Sequence, residues 1–437
     1  MRIGTRFLLS AAVLAAVSQT GLAADPTPAA APLTGGTATA GAAAPAVTPG
    51  GNVPARRPLM NLLDQVGFAE PLDDAGIQIY GHAEVSYTYN FAKPPGNLAD
   101  YKLPVGRFID NPGRVFDVEH DRFLLNQLTL NVERLVDVTR GEWDVGGRVE
   151  FMYGGDARFI HSNGMFDNYD DDDTSDVTGG PQNHFDIPQL YVDLAVPVGN
   201  GLRVRMGKFT FFKQHDPNAS VFYSHSFTFG AALPFTLTGA YATYVINDQL
   251  VVDAGLSRGW DQSIDDNNDA IDVFGRVRYA VNDDLSLTLA AITGPEQDND
   301  NGSWRTAIDL TATYKLGDAT TLLADIVLGQ QTQPTGGGSD AYWYGVALYG
   351  IQELNESVSA AVRLEWYRDD GGYTTGLDQN LYEATAGLTI RPFPNDQYLQ
   401  HLKIRPEVRI DYSSENYFDG FSSHYQVTAA VDAVYNF

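Results

Sequence analysis

From Ile77 to Phe437 the chain alternates. Ile77, Ile79, Gly81, Ala83, Val85, Tyr87, Tyr89 and Phe91 are apolar or small, and Gln78, His82, Glu84, Ser86, Thr88 and Asn90 lie between them. A period of two predicts a strand with one greasy and one wet face. The pattern returns in Trp143–Phe151, Leu250–Leu256, Ile271–Tyr279, Leu285–Leu289, Trp304–Leu316, Val358–Trp366, Tyr382–Ile390, Ile404–Tyr412 and Tyr425–Phe437. Less regular runs lie near 122–137, 184–197, 201–209, 235–246, 320–329 and 341–353. Together they predict about 16 strands, an even count that suits a closed antiparallel barrel.

The connectors alternate too. Those at 138–141, 197–201, 247–249, 282–284, 317–319 and 353–356 are short, whereas 93–121, 154–183, 210–234, 259–270, 294–303, 329–341, 369–379 and 413–424 are read as long. Short periplasmic turns and long outer loops predict an all-β transmembrane barrel over 76–437, with 392–402 as one long turn on the short side. A pair of soluble β-sandwiches also alternates, but gives no reason for every second connector to be long. Charge fixes the faces: slipping the Ile404–Tyr412 strand by one residue would turn Lys403, Arg405 and Arg409 to lipid, at about 2–4 kcal/mol each near the midplane.

The N-terminus supplies an address. Arg2 and Arg6, the apolar run Phe7–Val17 and the closing Gly21-Leu22-Ala23 predict a signal peptide over 1–23. Residues 24–58, rich in Ala, Pro, Gly and Thr, read as a disordered linker. Residues 59–75 read as a short periplasmic helix or capping segment with Gly67 near its stop.

Composition narrows the function classes. The 437 residues carry 28 basic and 55 acidic side chains, a formal net charge of −27, so docking on nucleic-acid phosphates is excluded. The absence of cysteine excludes disulfides, thiolate metal sites and thiol nucleophiles.

Several segments are similar to one family. Tyr80–Phe91, Phe222–Thr228, Pro234–Gly239, Gly255–Asp261 and Arg363–Asp369 resemble, in their order, the β-barrel porin-2, or OmpL-like, family across nearly all of 76–437. The terminal Tyr435-Asn436-Phe437 resembles the aromatic signal read by the barrel-assembly machinery. The resemblance implies a barrel in the cell outer membrane, bounded by its lipid, with a pore and no particular solute. For a water-filled lumen of this width the expected activity is passive diffusion of small hydrophilic solutes and ions. No cofactor or catalytic residue is expected. A homotrimer is the candidate assembly. The alternatives are a substrate-specific channel, for sugars for example, a structural barrel and, less favoured, a lipid hydrolase.

Parity assigns the pore-lining charges. Arg203, Arg205, Arg276, Arg278, Arg363, Arg405 and Arg409 point inward, with Glu84, Asp272, Asp309, Asp325, Glu365 and Glu407 among the acids facing them. One-sign rings filter ions, whereas interspersed signs brace a wall. The acidic balance favours weak cation preference, which a narrow basic constriction would reverse. The 210–234 connector carries Phe211, Phe222, Tyr223, His225 and Phe227 with few charges. A loop this apolar is expected to fold into the lumen or over the rim, and Gly207-Lys208 predicts a bulge just before it. Lumenal rings for a sugar path would be Tyr191, Tyr244, Phe274, Tyr349 and Tyr367.

Three other features suggest chemistry. Asp170, Asp171, Asp172 and Asp173 form an acidic run that suits a divalent cation or simply a solvated loop. His215 and His225 with Asp216 would make a pH-sensitive or metal site if the fold brought them together. His161-Ser162-Asn163-Gly164 is similar to a barrel phospholipase motif but lacks its intervening residue, and no G-x-S-x-G or H-E-x-x-H occurs.

Overall fold

Strands whose apolar positions must meet lipid and whose polar positions must meet water satisfy both only by closing on themselves. The computed structural model describes residues 57–93, 101–102, 108–167, 183–334 and 338–437. Sixteen antiparallel strands close the barrel. The first, β1, is Ile77–Tyr80 continued by His82–Asn90. In chain order follow β2 (Arg122–Arg134), β3 (Asp144–Gly154), β4 (His184–Val196), β5 (Leu202–Phe209), β6 (Leu237–Val245), β7 (Leu250–Ser257) and β8 (Asp272–Ala280). The second half comprises β9 (Leu285–Gln297), β10 (Asp300–Leu316), β11 (Thr320–Gln331), β12 (Ala341–Asn355), β13 (Val358–Asp370), β14 (Gln379–Ile390), β15 (Leu402–Ser413) and β16 (Tyr425–Asn436). Each pairs with its chain neighbours, and β16 returns to β1 with Asp432 opposite Ser86.

The faces follow the predicted parity. Val85, Phe123, Val145, Leu190, Leu256, Val273, Leu348, Leu364, Val408 and Ile410 are exposed on the outer surface, while charged side chains are buried inside. This inversion of a soluble protein is the bilayer's signature. Gly81 marks the closure: it exchanges two backbone hydrogen bonds of 2.9 Å with Phe437. A Cβ there would lie 2.1 Å from the Thr129 carbonyl oxygen and 2.8 Å from the Phe437 ring, so the seam requires glycine.

Two expectations change. The 294–303 connector is not a long loop: β9 and β10 continue through it, with a register shift between Pro295 and Gln297, and Gln297 pairs with Asp300 across Asp298-Asn299. Once a strand rises above the headgroups its outer face meets water, and the alternation that reveals it fades. Nor is there a bulge at Gly207-Lys208, since β5 pairs with β4 and β6 in unbroken register. Instead Gly207, at φ 133°, turns the alternation so that Lys208 is buried 3.4 Å from Asp186.

The segment before β1 forms two helices, α1 (Pro58–Gln65) and α2 (Ala69–Asp74), separated by Gly67 at φ 77°. They sit at the short-turn end. The Arg57 guanidinium lies 3.7 Å from the Tyr80 ring centre, buried Met60 accepts the Ile79 N–H on sulfur, and Gln65 donates to Tyr398 at 2.7 Å. That last bond docks α1 on the long 391–401 turn. The signal peptide, the linker up to residue 56 and Asp170–Asp173 lie outside the described residues.

Candidate functional site

The connector between Phe209 and Leu237 folds into the barrel. Its apolar side chains have no place in water, and the wall presents charges to its backbone. Glu407 accepts the Tyr223 and Ser224 N–H groups at 2.9 and 3.1 Å. Glu365 does the same for Phe227 and Thr228 at 2.8 and 2.7 Å, at the start of α3 (Phe227–Gly230). Arginines take the carbonyls: Arg363 donates to Ser224, Arg409 to His225, Arg276 to Phe211, and Arg405 to Pro217 and Ser220, at 2.6–2.8 Å. Lys213 reaches the far wall, 3.0 Å from Asp309 and 2.8 Å from Asp325.

The loop's rings then pack as a core inside the lumen. Phe211 and Phe227 join Tyr191, Tyr241, Phe274, Val327, Trp343 and Tyr367 in one buried cluster. Phe222 lies under Arg363, and the Tyr223 hydroxyl meets Asn126 at 3.0 Å. His225 stacks on Phe229 with ring centres 4.0 Å apart. All five predicted loop residues, Phe211, Phe222, Tyr223, His225 and Phe227, are buried. The far end of the loop is tied by Asp261, which accepts from the Phe235 and Thr236 N–H groups at 3.0 and 2.8 Å. Burial pushes the Asp261 carboxyl up to about 6, against the lowering effect of those hydrogen bonds.

Of the thirteen predicted pore-lining charges, all but Arg203 and Arg278 are buried. Glu365, Glu407, Arg363, Arg405 and Arg409 hold the loop that packs against them, and Glu84 is buried beside Arg405 at 3.3 Å. All three arginines also pair with wall acids: Arg363 with Glu383 and Arg409 with Asp411, each at 2.7 Å, and Arg405 with Asp432. Arg205 is fixed as well, bidentate on Asp193 at 2.7–2.8 Å and 3.5 Å from the Tyr191 ring centre. Buried cations need such full pairing, because an unpaired one costs several kcal/mol.

Between the loop and the wall a small vestibule of about 80 Å³ remains. Lys213, Arg276, Arg363, Asp309, Asp325 and Tyr349 line it with threonines of β9 and β10. On the neighbouring wall Arg203, Arg205, Arg276 and Arg278 gather around two acids, Asp193 and Asp253. Asp253 takes Arg276 at 2.8 Å and Arg278 at 3.2 Å, while Arg203 donates to Thr243 and stands 4.0 Å from Asp193. Four cations on two anions leave a local excess of two positive charges.

Sequence reasoning missed two contributors. Residues 110–121 of the first long connector also enter the lumen: Arg114 bridges Asp117 and Asp411 at 2.6 Å, and Phe116 packs on His225, Phe229, Phe159 and Phe235. The apolar Val115-Phe116 pair is the same kind of signal that exposed the later loop. The other is Trp343, whose indole donates to the Ala232 carbonyl at 3.1 Å. Gly329 lies opposite it, and a Cβ there would fall 1.9 Å from the ring. Gly329→Ala is thus expected to expel the indole and cost about 1–3 kcal/mol, read as a lower thermal midpoint and red-shifted tryptophan emission.

Other candidates separate. Tyr244 shares the outer face with Leu202 and Val252, its partners in register, so Tyr241 is the lumenal ring. His215 binds Glu150 at 3.0 Å and Asp216 binds Asn218, so neither joins His225. His161 is committed to Asp167 at 2.9 Å, and the buried Ser162 hydroxyl has no hydrogen-bond partner; this serine has no base.

A closed sixteen-stranded barrel, apolar outside, charged inside and crossed by an inward loop, defines the class of outer-membrane porin barrels. The chain belongs to the family described as "Putative beta-barrel porin-2, OmpL-like", whose model matches residues 76–437. Among solved structures it is similar in fold to Salmonella typhi OmpF in complex with daunomycin (TM-score 0.54, 12% identity, 83% of this chain and 99% of that one). It is also similar to the outer membrane channel DcaP of Acinetobacter baumannii (0.51, 13%, 83% and 98%) and an anion-selective porin from Comamonas acidovorans (0.51, 13%, 83% and 99%). No curated protein matches the sequence.

Proposed function

We propose that this porin passes small hydrophilic solutes and ions through a passage set by the 210–236 loop, and that the basic wall beside it favours anions. The observation that carries the reading is the loop's attachment to wall charges around the lumen, which leaves only the space beneath and beside it for water. The local excess of two positive charges on the Arg203–Arg278 wall argues against the cation preference suggested by net charge, because a field is focused where the passage is narrow and dry. The Comamonas acidovorans neighbour is itself described as anion-selective.

A sugar path is the weaker reading: Tyr191, Phe274 and Tyr367 are packed into the loop's core and offer no open row of rings. Lipid hydrolysis has no support from Ser162 or His161. The homotrimer stays part of the proposal, to be read from the native mass in detergent. Planar-bilayer recording tests the function. Stable current steps with a reversal potential toward the chloride equilibrium value are expected in a potassium chloride gradient; folded protein that gives no steps would mean a structural barrel.

A further inference from the structure

At the outer end of the lumen wall two carboxylates face each other. Asp272 opens β8 and Glu296 stands near the end of β9, and their carboxyl groups are in contact. Asp272 is 1% exposed, and neither of its oxygens has a hydrogen-bond donor. Ser257, its partner in register, holds a buried hydroxyl that also lacks a partner. Room for the Asp272 carboxylate exists only because residue 294 is glycine: a Cβ there would fall 1.6 Å from its Oδ1.

Among the described residues no cation forms an ion pair with Asp272, and Arg305 reaches Glu296 only at long range. Arg305 bonds Gln331 at 2.9 Å and the Tyr373 hydroxyl at 2.5 Å, and comes no closer than 3.8 Å to Glu296. Arg258 is spent on Asp266 at 3.1 Å. Glu296 accepts the Trp260 N–H at 3.0 Å on one oxygen. Two desolvated carboxylates in contact repel strongly unless a proton or a cation stands between them. An open cleft near this edge carries Asp265, Asp266 and Asp269 with Asn267 and Asn268, a negative approach that concentrates cations rather than anions.

We propose that Asp272, Glu296 and the Ser257 hydroxyl bind a hard divalent cation of the calcium class at the outer rim of the barrel. The donors are all oxygen, which suits such ions. Bound there, the ion ties β7, β8 and β9 together where they rise above the membrane, next to Asp261 and the end of the inward loop.

The test uses the full chain in lipopolysaccharide-free detergent, stripped with a chelator and titrated with calcium chloride. Saturable binding and a raised thermal midpoint are expected for the natural protein. Asp272→Asn, whose amide can donate to Glu296, should fold without calcium, stand near the calcium-loaded midpoint and bind calcium at least about tenfold more weakly. Glu296→Gln should lose the same binding step. Absence of saturable binding, with an infrared band of a protonated carboxyl at neutral pH that Asp272→Asn removes, would assign a shared proton and overturn the proposal. Calcium binding unchanged in both variants would place the ion on another acidic cluster and overturn it equally.

Discussion

Replacing Glu365 and Glu407 together by alanine is expected to release the inward loop and enlarge the single-channel conductance. Each carboxylate accepts two backbone N–H groups from adjacent loop residues. These are charge-assisted bonds in a dry setting, and removing the acceptor leaves buried donors orphaned at about 1–3 kcal/mol apiece. Four such losses outweigh the grip that Arg363 and Arg409 keep on the carbonyls of Ser224 and His225, so the amides beside them repack and the loop loosens. A conductance roughly doubled, with flicker, is the expected reading. Asp248→Asn, in the turn between β6 and β7, serves as control. An unchanged step size in a folded double variant would show that the loop is not the barrier to flow.

The fold was legible because the bilayer imposes the simplest pattern in protein chemistry. Each strand inside the hydrocarbon must alternate, so Val358–Trp366 and Ile404–Tyr412 announce both their existence and their orientation. Where lipid stops, the constraint stops: Gly294-Pro295-Glu296 continues β9 yet carries no apolar alternation. Parity also located the inward charges, but it has no information on what covers them. Arg205 and Arg203 are equivalent by spacing, and only the structure separates a guanidinium locked on Asp193 from one left half-satisfied. The loop's apolar content announced its burial, whereas its anchors are scattered around the wall, from Asn126 on β2 and Glu150 on β3 to Arg409 on β15, and meet only when the barrel closes. Asp261 closes the family-like segment Gly255–Asp261, but nothing in that segment shows that it ties the loop's far end, and Trp343 looks like any other wall residue.

That distinction between the arginines sets the second expectation. Substituting Arg203 and Arg278 by glutamine should move the reversal potential toward potassium, while Arg205→Gln should mainly cost stability. Arg203 and Arg278 each leave a buried Nε without a partner, and Arg278 lies close enough to Arg203 and Arg276 for mutual repulsion. Their removal subtracts two charges and leaves Asp193 with Arg205 and Asp253 with Arg276 as two balanced pairs. The local excess then falls from two to zero, and in a confined lumen a change of that size alters the chloride-to-potassium permeability ratio severalfold. Arg205→Gln removes one charge too, but it strips the bidentate partner from buried Asp193 and the cation from the face of Tyr191. Breaking a buried pair costs about 3–5 kcal/mol, so the thermal midpoint should fall further than in the double variant. A reversal potential that ignores Arg203 and Arg278 but follows Lys213→Met would transfer the filter to the Asp309–Lys213–Asp325 bridge across the vestibule.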